Sequence, residues 1–391
     1  MSKKLMILLG LLLIVSLALT ACGAPAAEEA AMEEGGEEAA MEEGAAGECC
    51  DAYRIALFEE PVSLNYWNYL GPGSSVWTQY VVAGQAPQLF NLSDVRFDFI
   101  PELAKAIPEP VDNGDGTYTV TVEMVEGATW SDGEAITADD YVFTFNACKD
   151  LKLTQNWPNQ CVPNGVEAEV SAAGDYTIEI KFLNQAPSLG NWQAGLALAP
   201  ILPEHYWAEK AAEAYVFVEG AEAPEMDRPE DCEAEDADAD ACAAYAAYDE
   251  MFTNARTTLY EADAAAAPSG GGYTTDKWEA GAFVQRTSNE EFYFKGAEVV
   301  EYEDGTWMMI LPDGTEYQLY GAAEGEETLR YTQGPYSPNV IFSIYGSQDA
   351  AFLALANGEV DYVINPLGLS RGLREQAEKG EGINTYTNAD Y

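Results

Sequence analysis

The chain has 391 residues, 48% of them hydrophobic, which is enough for about two or three domains with real cores. It carries 18 Lys and Arg against 67 Asp and Glu, a formal charge of −49. That balance excludes nucleic acid and anionic lipid headgroups as partners, because both need basic patches. Cationic or zwitterionic ligands, metal ions and basic proteins stay compatible with it, and solubility is the simpler reading.

Lys3 and Lys4 open the chain, Leu5 to Leu19 form an apolar run, and Leu19-Thr20-Ala21-Cys22 follows. The run is shorter than the ~20 residues a helix needs to span a bilayer. With its charged start and the small residues before a cut site, it reads as a secretory signal over residues 1–21. The tetrapeptide resembles the lipobox of bacterial lipoproteins, in which the cysteine is acylated and becomes the new N-terminus. The resemblance implies lipidation at Cys22 and an extracytoplasmic protein. Acyl chains would hold it to the cell membrane, in the periplasmic space or on the outer face of the cytoplasmic membrane. Residues 22–52 are dominated by Ala, Glu and Gly, with a nine-residue repeat starting at Glu28 and again at Glu37. Such a segment buries too little surface to offset ordering its backbone, and reads as a disordered acidic tether.

Folded structure is expected over residues 53–391. Tyr53 to Phe58 reads as a first strand. Thr117 to Met124 alternate as another, entered through an Asp115-Gly116 turn. Thr137 to Asp150 reads as a helix capped by Thr137, with Asp140 placed as in a capping box. Asp175 to Phe182 alternate again, and Pro200 to His205 start a new element. Residues 209–267 are rich in Ala and acid. They read as a solvated surface insertion, ended by Gly270-Gly271-Gly272. Asp236, Asp238 and Asp240 lack the Gly and Glu that a calcium loop needs further on. Strands are expected at Gly281 to Arg286, Trp307 to Leu311, Asn339 to Tyr345 and Val360 to Ile364. Helices are expected at Gln348 to Ala356, stopped by Asn357-Gly358, and at Leu367 to Glu378. This mixing argues an α/β or α+β protein.

Beyond Cys22, six cysteines remain in an oxidising compartment, and the count leaves their connectivity open. Cys148 with Cys161 and Cys232 with Cys242 are candidate disulfides, being close in sequence; Cys49 and Cys50 form a vicinal bridge or pair elsewhere. No zinc-ligand spacing occurs, and no cofactor is expected. The only histidine is His205, and it precedes the Gly368-Leu369-Ser370-Arg371-Gly372 motif, whereas a hydrolase of that type needs a histidine after its serine. There is no P-loop and no HExxH. The chain is therefore not expected to be an enzyme.

Four segments in one order resemble the bacterial family 5 extracellular solute-binding proteins, which serve peptide and oligopeptide ABC importers. They are Pro101 to Ala104 with Asp115 to Val120; Trp130-Ser131-Asp132-Gly133 running to Phe143; Tyr176 to Ile180 with Ile201 to Trp207; and Gly271 to Gly281 with Gly346 to Asp361. The second is the most specific. The resemblance implies an α/β fold of the type II periplasmic-binding-protein kind, with a first lobe, a small subdomain and mixed sheets. It also implies that the second lobe is largely absent from a chain ending at Tyr391, and that groups holding ligand termini in the family lie mostly in that lobe. Expected partners are a peptide or other small solute and the permease subunits of an ABC importer. The ligand-facing candidates are Asn65, Tyr66, Trp67 and Trp77, in the loop after the first strand, where aromatic rings offer flat walls with polar edges. The competing reading is that these rings belong to the core, and that the chain is a lipid-tethered interaction protein or a receptor without function.

Overall fold

The structure is a computed structural model that describes residues 51–379, except 235, 236 and 367. Cys22, Cys49, Cys50 and the signal segment lie outside the described residues. The described residues open with β1 (Tyr53–Leu57), two short helices, α1 (Tyr66–Leu70) and α2 (Val76–Val82), and a hairpin of β2 (Phe90–Leu92) and β3 (Phe99–Pro101). Next come β4 (Val111–Asp112), β5 (Tyr118–Glu123), α3 (Ala138–Asp150), α4 (Pro158–Cys161), β6 (Ala168–Gly174) and β7 (Thr177–Phe182). Helices α5 (Glu204–Tyr215) and α6 (Ala239–Glu261) precede β8 (Tyr273–Glu279) and β9 (Phe283–Ser288). A meander of β10 (Glu298–Tyr302), β11 (Trp307–Ile310), β12 (Glu316–Leu319) and β13 (Glu327–Thr332) leads to β14 (Asn339–Ile344), α7 (Gln348–Ala356), β15 (Tyr362–Val363) and α8 (Arg371–Ala377).

The sheets divide the labour. One has the order β15-β1-β14-β9-β8, with β1 parallel to both β14 and β15 and the remaining pairs antiparallel. A second, β4-β5-β7-β6, packs against α3. Here the alternation in the sequence has a plain cause. Val120 and Val122 of β5 sit opposite Ile180 and Ile178 of β7, and all four are fully buried, while Thr121 and Glu123 face out. The third sheet, β12-β11-β10-β13, is all antiparallel. Among the described residues, no helix is long and apolar enough to cross a membrane.

The Trp130 segment acts as a joint. Trp130 is fully buried and its Nε1 donates to Asp140 Oδ2 at 3.3 Å. The same oxygen accepts the Thr137 main-chain N–H at 2.9 Å, and Asp140 Oδ1 accepts the Glu204 N–H at 2.8 Å. One carboxylate thus serves the N-termini of both α3 and α5, where orphan donors need an acceptor. Asp132 in the turn lies 2.8 Å from His205 Nε2, so the single histidine ties the turn to α5. The structure pairs Cys148 with Cys161, joining α3 to α4, and Cys232 with Cys242.

The acidic stretch needs a correction. Residues 209–267 do not form one solvated insertion, because both ends are helices with buried faces. Trp207, Ala211 and Ala214 of α5 are buried, as are Phe252, Ala255, Leu259 and Tyr260 of α6. The spacing of the second set is a helical stripe, diluted to the eye by surrounding alanine and acid. Asp238 is the N-cap of α6, accepting the N–H groups of Asp240 and Ala241. Likewise Ser370 stands at the start of α8, its hydroxyl accepting the Leu373 N–H at 3.4 Å.

Candidate functional site

A cleft of about 960 Å³ opens between α1, the chain around Pro87, the glycine run, β9 and the loop from Gln333 to Ser337. Gly270 and Gly271 are there because nothing larger fits. A Cβ on Gly271 would stand 1.8 Å from the Gly84 carbonyl oxygen, and one on Gly270 would stand 2.7 Å from the Pro87 ring. The two chain segments therefore pass in contact and form one wall.

Tyr66 and Tyr69 form another wall, ring centroids 5.3 Å apart and edge to face. Burial raises the pKa of both phenols, so they remain neutral donors. Gln88 also lines the cleft, its side-chain amide fixed by donating to the Leu198 carbonyl at 2.7 Å.

Only two of the described lining residues carry charge, Glu102 and Arg286. Burial pushes the Glu102 carboxyl up to about 8, partly offset by a hydrogen bond from the Gln88 main-chain N–H. Arg286 is 6% exposed; its Nη1 donates to the Val81 carbonyl at 3.1 Å and its Nη2 to that of Tyr273. Its Nε is buried with no partner, and burial lowers the guanidinium to about 10. Among the described residues no carboxylate pairs with it.

Glu102 yields a pH prediction. Its folded pKa is raised above the ordinary 4.5 toward about 8, so the folded state holds the extra proton between those values. Wild-type stability contributed by this group falls as pH rises through that window. Glu102→Gln should therefore match the wild type near pH 4 and melt higher than it above pH 8. Melting curves of both proteins that stay parallel from pH 4 to 9 would refute the assignment.

Of the residues read from sequence as ligand-facing, the structure brings only Tyr66 to the cleft. Asn65 is the N-cap of α1: Oδ1 accepts the Asn68 N–H, and the amide donates to the carbonyls of Leu259, Tyr260 and Ala262. Trp67 is fully buried, stacked on Trp157 with centroids 4.9 Å apart. Trp77 is buried against Phe58 at 5.1 Å. These three are core because each has its partners inside: Asn65 is spent on capping α1 and holding the end of α6, and both indoles pack against other rings. Sequence reasoning missed Glu102, Tyr69 and Arg286. One signal was present: in β9, Val284 and Arg286 fall on the same side of the alternation, so a cation stands where an apolar residue is expected. Among the described residues, no group of three or more His, Cys, Asp or Glu side chains is placed to hold a metal ion.

Comparison with known proteins extends the picture. A model described as bacterial extracellular solute-binding proteins, family 5 Middle, matches residues 98–390. Protein XP55 of Streptomyces lividans is 33% identical over 112 residues, 29% of this chain and 19% of that protein. The oligopeptide-binding protein of Thermus thermophilus, solved with a pentapeptide, superposes with a TM-score of 0.53 at 14% identity, covering 84% of this chain and 47% of its own. The ABC transporter substrate-binding protein CtaP of Listeria monocytogenes gives 0.50 at 20% identity, covering 84% and 46%. The chain thus spans less than half the length of these solved structures, and the likeness to them is one of fold.

Proposed function

We propose that this chain, which belongs to the bacterial extracellular solute-binding proteins of family 5, is the solute-capturing component of an ABC importer with short peptides as its cargo. The observation that carries the reading is the family match over residues 98–390, on a fold with an open cleft of about 960 Å³. The cleft walls suit a peptide. Gly272 and Gly334 leave room beside tyrosine edges and a fixed glutamine. Such walls hold an extended backbone by hydrogen bonds while tolerating varied side chains. The solved relative from Thermus thermophilus holds a pentapeptide, which favours the same class here. The role is capture and delivery to permease subunits in the membrane, with no bond made or broken.

Saturation-transfer NMR with the purified chain and a set of short peptides tests the reading, because it detects even millimolar binding. Transfer to peptide protons is expected. Its absence for every member of the set would overturn the peptide assignment.

Anchoring belongs to the same proposal. The resemblance of Leu19 to Cys22 to a lipobox supports a diacylated Cys22 that keeps the cleft at the membrane surface. Cys22→Ser should move the protein to the soluble fraction or leave the signal uncleaved. Membrane association unchanged by the substitution would refute the anchor.

A further inference from the structure

We propose that a side pocket off the cleft selects among peptides, taking one aromatic side chain of the cargo between the β2–β3 hairpin and the β10–β13 sheet. The inference rests on the peptide-capture reading and adds to it a side-chain preference at one position. The pocket has a volume of about 220 Å³ and shares Asn91, Glu102, Phe292 and Gln333 with the cleft, so the two spaces adjoin. It is smaller than the ~300 Å³ at which sites for whole small ligands begin. It is large enough for one ring, since an apolar cavity of ~150 Å³ accommodates benzene.

Both sides of the pocket are built. Strand pairing sets Val299 of β10 opposite Met309 of β11 and Tyr331 of β13, and all three line the pocket from one face of the sheet. Trp307, two residues before Met309, shares that face. Its Nε1–H is buried with no acceptor among the described residues, so this indole gives the wall its ring and not a hydrogen bond. Phe292 and Phe294 add two more rings, centroids 5.7 Å apart, while Leu92 and Ile100 come from the hairpin. Three hydrogen bonds tie hairpin to sheet. The Tyr331 hydroxyl donates to Asp94 Oδ2 at 2.7 Å, Arg96 Nη2 donates to the Glu303 carbonyl at 3.2 Å, and the Tyr320 hydroxyl donates to the Phe99 carbonyl. The two walls are thus fixed relative to each other before a ligand arrives, and binding has little ordering left to offset. Elsewhere along the cargo, main-chain contacts tolerate varied side chains. Here a ring gains apolar and edge-to-face contacts that alanine cannot make.

The probes are trialanine and its three single-phenylalanine forms, Phe-Ala-Ala, Ala-Phe-Ala and Ala-Ala-Phe. Each is titrated against the full chain by saturation-transfer NMR at pH 7. At least one phenylalanine form is expected to bind about tenfold more tightly than trialanine, with the strongest transfer at its ring protons. Val299→Trp fills the pocket from the sheet and should erase that preference. Should it fail to fold, Leu92→Trp narrows the same space from the hairpin, where Leu92 is 38% exposed and a larger side chain has room. Equal binding of all four peptides would overturn the inference and leave the capture reading standing. A preference for phenylalanine that survives in the folded variant would overturn it likewise. Binding by none of the four would overturn both.

Discussion

Trp67→Ala is expected to lower stability by about 3–5 kcal/mol, the range for emptying a buried large aromatic site. Trp67 has no exposed surface, stacks on Trp157 at 4.9 Å and meets Phe143 and Trp207 edge-on at 6.1 and 6.2 Å. Its carbonyl also accepts the Trp157 indole N–H at 2.8 Å. The cluster therefore joins α1 to the loop before α4 and to α5, and a void at its centre loosens all three. Urea unfolding reads the effect as a fall in midpoint at unchanged slope. Trp67→Phe should cost much less than the alanine change. It keeps a ring in the stack and removes the Trp67 Nε1–H, which is buried with no acceptor. An alanine variant within about 1 kcal/mol of wild type would mean that the cluster is not a structural centre.

Asn65→Ala comes next, at about 2–4 kcal/mol, combining a lost N-cap with carbonyls left without a donor. The three acceptors, Leu259, Tyr260 and Ala262, lie at the C-terminal end of α6. The side chain thus pins that helix to the start of α1. Asn65→Asp should be worse than alanine, although it is the closer match in shape. Its carboxylate retains the cap to Asn68 but sets a negative charge against three carbonyl oxygens and can donate to none of them. Chemical denaturation ranks the variants, and limited proteolysis should show new cleavage after Glu261. Finding Asn65→Asp as stable as wild type would sink this account of how α6 is held.

The two substitutions concern residues that the sequence presents as ligand contacts, and the reason they are core is instructive. An Asn-Tyr-Trp run after a first strand carries the same letters whether it lines a cleft or caps a helix. What separates the uses is a partner nearly two hundred residues away, which periodicity does not report. Local grammar was readable where the period was clean and caps were explicit. Strands β5 and β7, helix α3 with its Thr137 cap, and α7 with Asn357-Gly358 fall close to their expected places. It was not readable in α6, where alanine hides the stripe of Phe252, Ala255, Leu259 and Tyr260. Nor was it readable in most of the β10–β13 meander, whose burial depends on which neighbour each strand meets. The family resemblance supplied the fold where local pattern could not. Arg286 was visible only as a breach of alternation, and its meaning needed the cleft beside it.

The placing of β1 has a consequence for how the molecule comes into being. Ile55 pairs with Tyr362, and Arg54 holds Asp361 across 307 positions of sequence. Synthesis runs from the N-terminus, so the first strand made is among the last to find its neighbours, and most of the polymer must emerge before that seam can close.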